Sequence, residues 1–237
     1  MKTSIGTVLV AAALAACQSG QHTPPADAAA AQAQTQRSGF LGDYSRLTPA
    51  PDREGVELYV DRTEDYNRYT KVLLEPIQVL ATPAPGQEPA PPEAVARMSA
   101  NFQQALQRAL APTYQIVAAP GPDVLRVRIA ITNVQPVKPP TGVSDFLPIK
   151  ALYNAGRAAA GTSPRLIEMT AEMEALAPDG RRVIAATATR RGDKTLPQGE
   201  QVSWVELESI SDYWAGNFRS RLDELRGPAA ASVSPDD

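Results

Sequence analysis

Two stretches of this chain alternate apolar and polar residues with a period of two, and two others repeat apolar residues at spacings of three and four. In Asp123 to Val134, Leu125, Val127, Ile129 and Ile131 fall on one side and Arg126, Arg128 and Thr132 on the other, as a half-buried strand requires. Leu166 to Leu176 repeats the design, with Ile167, Met169, Ala171, Met173 and Ala175 opposite Glu168, Thr170, Glu172 and Glu174. The Arg-rich and Glu-rich outer faces suit adjacent antiparallel strands with one face in water. Asp179-Gly180 then stands before a third run, Arg182 to Arg190, and predicts a hairpin return. Val95, Met98, Phe102, Leu106 and Leu110 predict a helix from near Pro92 that stops before Pro112. Val205, Leu207, Ile210, Trp214, Phe218, Leu222 and Leu225 predict a long terminal helix, opened by a Ser203/Glu206 capping box and closed at Gly227-Pro228. Tyr69 to Leu80 reads as one strand and Tyr114 to Val117 as a short one. The expected fold class is α+β: an antiparallel or mixed sheet of about five strands with two main helices packed on one face.

The N-terminus carries a different signal. Lys2, the twelve-residue apolar run Ile5 to Ala16 and Cys17 read as a secretory signal peptide, too short for a helix that must span a bilayer with about 20 residues. Leu14-Ala15-Ala16-Cys17 resembles the bacterial lipobox, which makes Cys17 the expected lipidation site; the alternative is an ordinary leader with a free thiol. Gln18 stands where, under the enterobacterial sorting rule, an Asp would retain a lipoprotein in the inner membrane, so the pattern resembles that of the outer membrane. Residues 1–16 are thus expected to be leader, 17–38 a lipidated cysteine and disordered Ala/Gln/Pro tether, 39–226 a single α+β domain and 227–237 a disordered tail.

Composition narrows the chemistry. The 23 basic and 26 acidic residues give a formal charge of -3, which offers nucleic acid no long-range attraction, and none is expected as a partner. With one Cys and one His, His22 in the tether, the chain lacks the parts of a zinc site or a Ser-His or Cys-His pair. No phosphate-binding loop or nucleophile elbow is present, so neither a cofactor nor a metal is expected, and no catalytic residue is assigned. Asp61, Glu64 and Asp65 cluster with Tyr59, Tyr66 and Tyr69, a set that admits either carboxylate chemistry on a glycan or a solvated turn packed on the sheet.

Several segments together resemble one family of bacterial lipoproteins. They are Ser38 to Leu47 (SGFLGDYSRL), Tyr69 to Pro76, the Leu125 to Val134 strand, Ala185-Ala186-Thr187 with Arg190-Arg191-Gly192, and Asp212-Tyr213-Trp214. The chain is similar over about Ser38 to Arg226 to the domain of unknown function 3313. The resemblance implies a membrane-tethered domain facing the periplasm and assigns no activity to any residue.

The connection from Gln135 to Ser163 is far longer than the four to six residues usual between elements. Its Phe146, Leu147, Ile149, Leu152 and Tyr153 are too apolar for plain disorder, and they either cap the domain's own sheet or form a contact for a partner or membrane surface. The expected function is that of a lipoprotein attached to the outer membrane and facing the periplasm. There it would serve as a binding, structural or accessory module with an envelope protein partner rather than as an enzyme. The alternative is an envelope enzyme acting on glycan or lipid through carboxylates; a lipid carrier would require a cavity.

Overall fold

A computed structural model describes residues 37–81, 90–138, 165–196 and 202–227. Cys17 and His22, the Phe146 to Tyr153 apolar residues of the insert, and the tail after Gly227 lie outside the described residues. What is described from Ser38 onward is a mixed eight-stranded sheet with two helices against one face, so the α+β class holds and the strand count is higher than the sequence suggested.

The elements in chain order are β1 (Thr48–Pro49), β2 (Val56–Val60), β3 (Lys71–Leu74), β4 (Gln78–Val79), α1 (Pro92–Leu110), β5 (Gln115–Ile116), β6 (Val124–Val137), β7 (Leu166–Leu176), β8 (Arg182–Arg191) and α2 (Trp204–Arg226). A single 3-10 turn, Tyr66–Arg68, precedes β3. The sheet order is β1-β2-β8-β7-β6-β3-β5, with β4 also on β6. The centre is the antiparallel meander β6-β7-β8; β3 and β4 join β6 in parallel. The single strand expected over Tyr69 to Leu80 is broken because Pro76 offers no N–H to the ladder, and β3 and β4 resume on either side of it.

The period-two reading sets the register. Val127, Ile129 and Ile131 lie opposite Ala175, Met173 and Ala171, and these in turn opposite Ile184, Ala186 and Ala188 of β8. A bulge at Thr132 inserts one residue into β6 and reverses its parity, so Val134 and Pro136 stay on the same face, opposite Met169 and Ile167. Met98, Phe102, Leu106 and Leu110 of α1 and Leu207, Ile210, Ala215 and Leu222 of α2 bury their stripes against that face. Phe102 and Trp214 meet between the helices with ring centroids 5.9 Å apart. The β7–β8 hairpin closes as expected: Gly180 takes φ +84 and donates its N–H to the Ala177 carbonyl at 2.9 Å.

The capping box is only half formed. Ser203 accepts the Glu206 N–H, but Glu206, 4% exposed, turns its carboxylate to the Asp193 and Lys194 N–H groups at 2.7 and 3.2 Å. It thereby ties the end of β8 to the start of α2. Gly192 makes room for this: a Cβ there would come within 2.5 Å of the Glu206 carboxylate.

The sheet face expected to be wet is instead covered. Residues Ser38 to Leu47 lie across it, and Leu41 and Tyr44 pack on Ala185 with Phe40, Leu47 and Tyr59 around them. Glu172 is 1% exposed and Glu174 3%. Glu172 accepts the Tyr44 hydroxyl at 2.6 Å and the Ser38 N–H at 2.9 Å, while Glu174 accepts from Arg128 and, at 2.8 Å, from Arg182. The alternating Glu residues therefore anchor a cover rather than meet solvent. Burial, reinforced by the Glu172 bond, raises the Tyr44 pKa, so the phenol stays a donor to the carboxylate through the physiological range.

Candidate functional site

On the helix face of β8 the inward positions are small where a sheet core ordinarily carries Val or Ile. Ala186 and Ala188, with Ala171 beside them on β7, leave α2 standing off from the sheet. The result is a cleft of about 300 Å³. Val56 and Leu58 of β2 form its outer wall, Met173 and Ile184 its base, Phe102 and Leu106 of α1 its inner end, and Trp214 and Phe218 of α2 its roof. The exposed lining residues Asp52, Glu54 and Tyr213 mark its mouth, and the Arg190 guanidinium lies over the Tyr213 ring, 3.7 Å from its centroid. Ligand pockets generally run from about 300 to 1,000 Å³ with apolar walls and a few polar groups, and this cleft sits at the small end of that class.

The walls of the cleft are mostly hydrocarbon, and its polar groups are the Asp52 and Glu54 carboxylates, the Arg53, Arg190 and Arg221 guanidiniums, the Asn217 amide, the Thr189 hydroxyl and the Tyr213 phenol, so its interior offers an apolar environment with charged groups among its lining. The signal in the sequence was present but quiet: Ala185-Ala186-Thr187-Ala188 is a strand with no large side chain in four positions. Periodicity alone reads such a run as strand and says nothing of the space beside it.

The carboxylate cluster has a different role. Asp61 and Glu64 are brought together by Arg181, the residue after the hairpin glycine, whose Nη1 lies 2.6 Å from Asp61 and whose Nη2 binds Glu64. Glu64 also accepts the Tyr69 hydroxyl at 2.6 Å, and Asp61 accepts the Thr63 N–H and hydroxyl, which holds its carboxyl below the usual range. Asp65 caps the 3-10 turn through the Asn67 N–H at 3.1 Å. Tyr66 is buried, with its hydroxyl 3.0 Å from the Asp61 carbonyl and 2.9 Å from the Val183 carbonyl so that its one proton is shared between them, and burial pushes the Tyr66 and Tyr69 pKa values well up. The arrangement here is an arginine clamp that fastens the β2–β3 connection to the β7–β8 hairpin. Among the described residues no group of three or more His, Cys, Asp or Glu side chains is placed to hold a metal ion, and no helix is long and apolar enough to cross a membrane.

Solved structures similar to the chain share little sequence with it. The PelC dodecamer from Paraburkholderia phytofirmans matches at 15% identity over 70% of this chain and 95% of that one, with a TM-score of 0.36. A DUF330 protein of Xanthomonas campestris matches at 12% identity over 75% and 88%, with a TM-score of 0.33. A DUF4136 protein of Bacteroides thetaiotaomicron matches at 10% identity over 77% and 98%, with a TM-score of 0.33. No curated protein matches. The family model described as protein of unknown function DUF3313 matches residues 36–218, from the segment that covers the Glu172 face to the roof of the cleft, and the chain belongs to that family.

Proposed function

We propose that this protein is a lipid-anchored module of the bacterial cell envelope, held to the outer membrane through Cys17 and facing the periplasm, whose folded part binds an apolar ligand between β8 and α2. The cleft is the observation that carries the reading. Unfilled apolar space inside a domain costs stability, because the atoms lining it lose packing partners. A sheet that places Ala at positions 171, 186 and 188 keeps open space that larger side chains there would narrow. Such a trade of stability for space is usual at binding sites. The lipobox supports the anchoring half of the reading, since a diacylglyceryl thioether would hold the domain at a membrane, next to a supply of apolar ligands.

Both halves are testable. The full chain should take up a neutral fluorescent naphthylamine dye. Ala186→Leu with Ala188→Leu should weaken uptake by tenfold or more, on the order of 1.4 kcal/mol, while leaving the melting temperature level or higher. Uptake unchanged in that variant would refute the cleft as the site. Cys17→Ser should move the protein from the detergent phase to the aqueous phase and remove palmitate labelling; persistent labelling would refute the anchor.

A further inference from the structure

A second depression, of about 230 Å³, adjoins the cleft at the β1 edge of the sheet. The two share Asp52, Arg53, Leu58 and Arg221, so they lie side by side along those residues. Their characters are opposite. The cleft is walled by aliphatic and aromatic side chains, whereas the second recess is lined by four arginines, Arg46, Arg53, Arg62 and Arg221, against a single carboxylate, Asp52. In a chain of formal charge -3 such a concentration is local and is no reflection of composition.

The guanidiniums are incompletely used. Arg53 approaches Asp52 at 3.6 Å. Arg221 gives Nη1 to Glu224 at 2.8 Å, but its Nε is buried without a hydrogen-bond partner. Arg46 lies over the Tyr59 ring at 3.8 Å from its centroid and is near enough to Asp43 and Asp61 to help hold their carboxyls ionised, but neither it nor Arg62 forms a direct ion pair with a described residue. Guanidiniums gathered in one recess repel one another, and a planar fork of N–H donors is matched best by the oxygens of a carboxylate or phosphate. An apolar slot beside arginines that keep donors to spare has the two-part chemistry of an amphiphile.

We propose that the ligand is an anionic amphiphile, with one acyl chain in the cleft between β8 and α2 and a phosphate or carboxylate head against Arg46, Arg53, Arg62 and Arg221. The proposal rests on the cleft reading and adds to it the sign of the head group. Phosphate and carboxylate heads satisfy the same donors, and the recess selects for negative charge.

The test is displacement of the neutral naphthylamine dye from the full-length chain carrying Cys17→Ser, purified without detergent. Three competitors are compared: lysophosphatidylglycerol, a monoacylglycerol of the same chain length, and glycerol phosphate alone. The anionic lipid should displace the dye at a concentration about tenfold lower than the neutral lipid, equivalent to 1.4 kcal/mol, and glycerol phosphate should displace none. In the double variant Arg46→Gln and Arg62→Gln the two lipids should come within about twofold of each other, as expected when charge-assisted contacts are removed. Equal displacement by both lipids in the unaltered chain overturns the proposal and leaves the cleft reading standing. So does a preference that survives in the arginine variant, and so does displacement by glycerol phosphate, which would mark a site for the free anion. Failure of the chain to take up the dye overturns the cleft reading, and this proposal with it. Monoacylglycerol displacement in the variant shows that it has kept its fold.

Discussion

Arg182→Ala is expected to cost about 3 kcal/mol, within the range for breaking one side of a buried ion pair. For a domain of this size that is a fall in Tm of roughly 6–12 °C. Arg182 is the fastener of the Ser38 to Leu47 cover. Its Nε binds Glu174 at 2.8 Å, its Nη1 binds the Asp43 carbonyl at 2.8 Å, and its Nη2 binds the Leu41 carbonyl. Truncation leaves Glu174, 3% exposed, with Arg128 as its remaining ion-pair partner, and frees two carbonyls that had been drawn onto the sheet. Arg182→Lys should recover less than half of the loss, because one ammonium cannot reproduce a fork that reaches three acceptors in different directions. Thermal melts followed by circular dichroism decide the matter. A loss below about 1 kcal/mol, the level of an exposed pair, would mean that the cover holds by apolar contact alone.

Gly55→Ala carries the second large effect. Gly55 sits at φ +74 just before β2, a conformation that costs an L-residue about 1–2 kcal/mol. The added methyl group would also lie 2.7 Å from the Thr189 carbonyl oxygen. That oxygen belongs to the backbone, and its own residue donates to Gly55 O at 2.8 Å, so β2 has to move away from β8 to relieve the clash. Strain and overpacking together are expected to reach about 3 kcal/mol. Because Val56 and Leu58 wall the cleft, dye affinity should fall as well. Gly180→Ala is the control: it has a similar φ, +84, with open space around it, and should cost only about 1 kcal/mol with dye affinity unchanged. Equal losses at the two glycines would remove the argument from contact.

The helices and the central meander were legible because each carries its period without interruption. Met98, Phe102, Leu106 and Leu110 could occupy one stripe only on a helix, and the Asp179-Gly180 turn left β8 a single place beside β7. The outer strands were not legible for the opposite reason. β1 and β4 hold two residues each, and β2, Val56 to Val60, follows a run of Pro, Asp, Arg and Glu that reads as loop. Their pairing is decided by Gly55 and by the free edge of β8, which are contacts remote in sequence. The burial of Glu172 and Glu174 was hidden by the same locality. Alternation shows that a face is polar, but whether water or Tyr44 and Arg182 satisfy it depends on a segment about 130 residues earlier in the chain. The cleft was hidden because a gap is a property of two elements at once: the alanines of β8 were visible, and the distance at which α2 passes over them was not.

An apolar chain received between β8 and α2 can be caught there by photolabelling: the full-length protein is exposed to a monoacylglycerol bearing a diazirine in its acyl chain, irradiated, digested and mapped by mass spectrometry. Adducts are expected on peptides from β2, β7, β8 and α2, at residues such as Leu58, Met173, Ile184, Trp214 and Phe218, with their loss in the Ala186→Leu, Ala188→Leu variant. Adducts confined to the opposite face of the sheet, around Phe40, Leu41 and Tyr44, or an unchanged pattern in that variant, would contradict binding in the cleft.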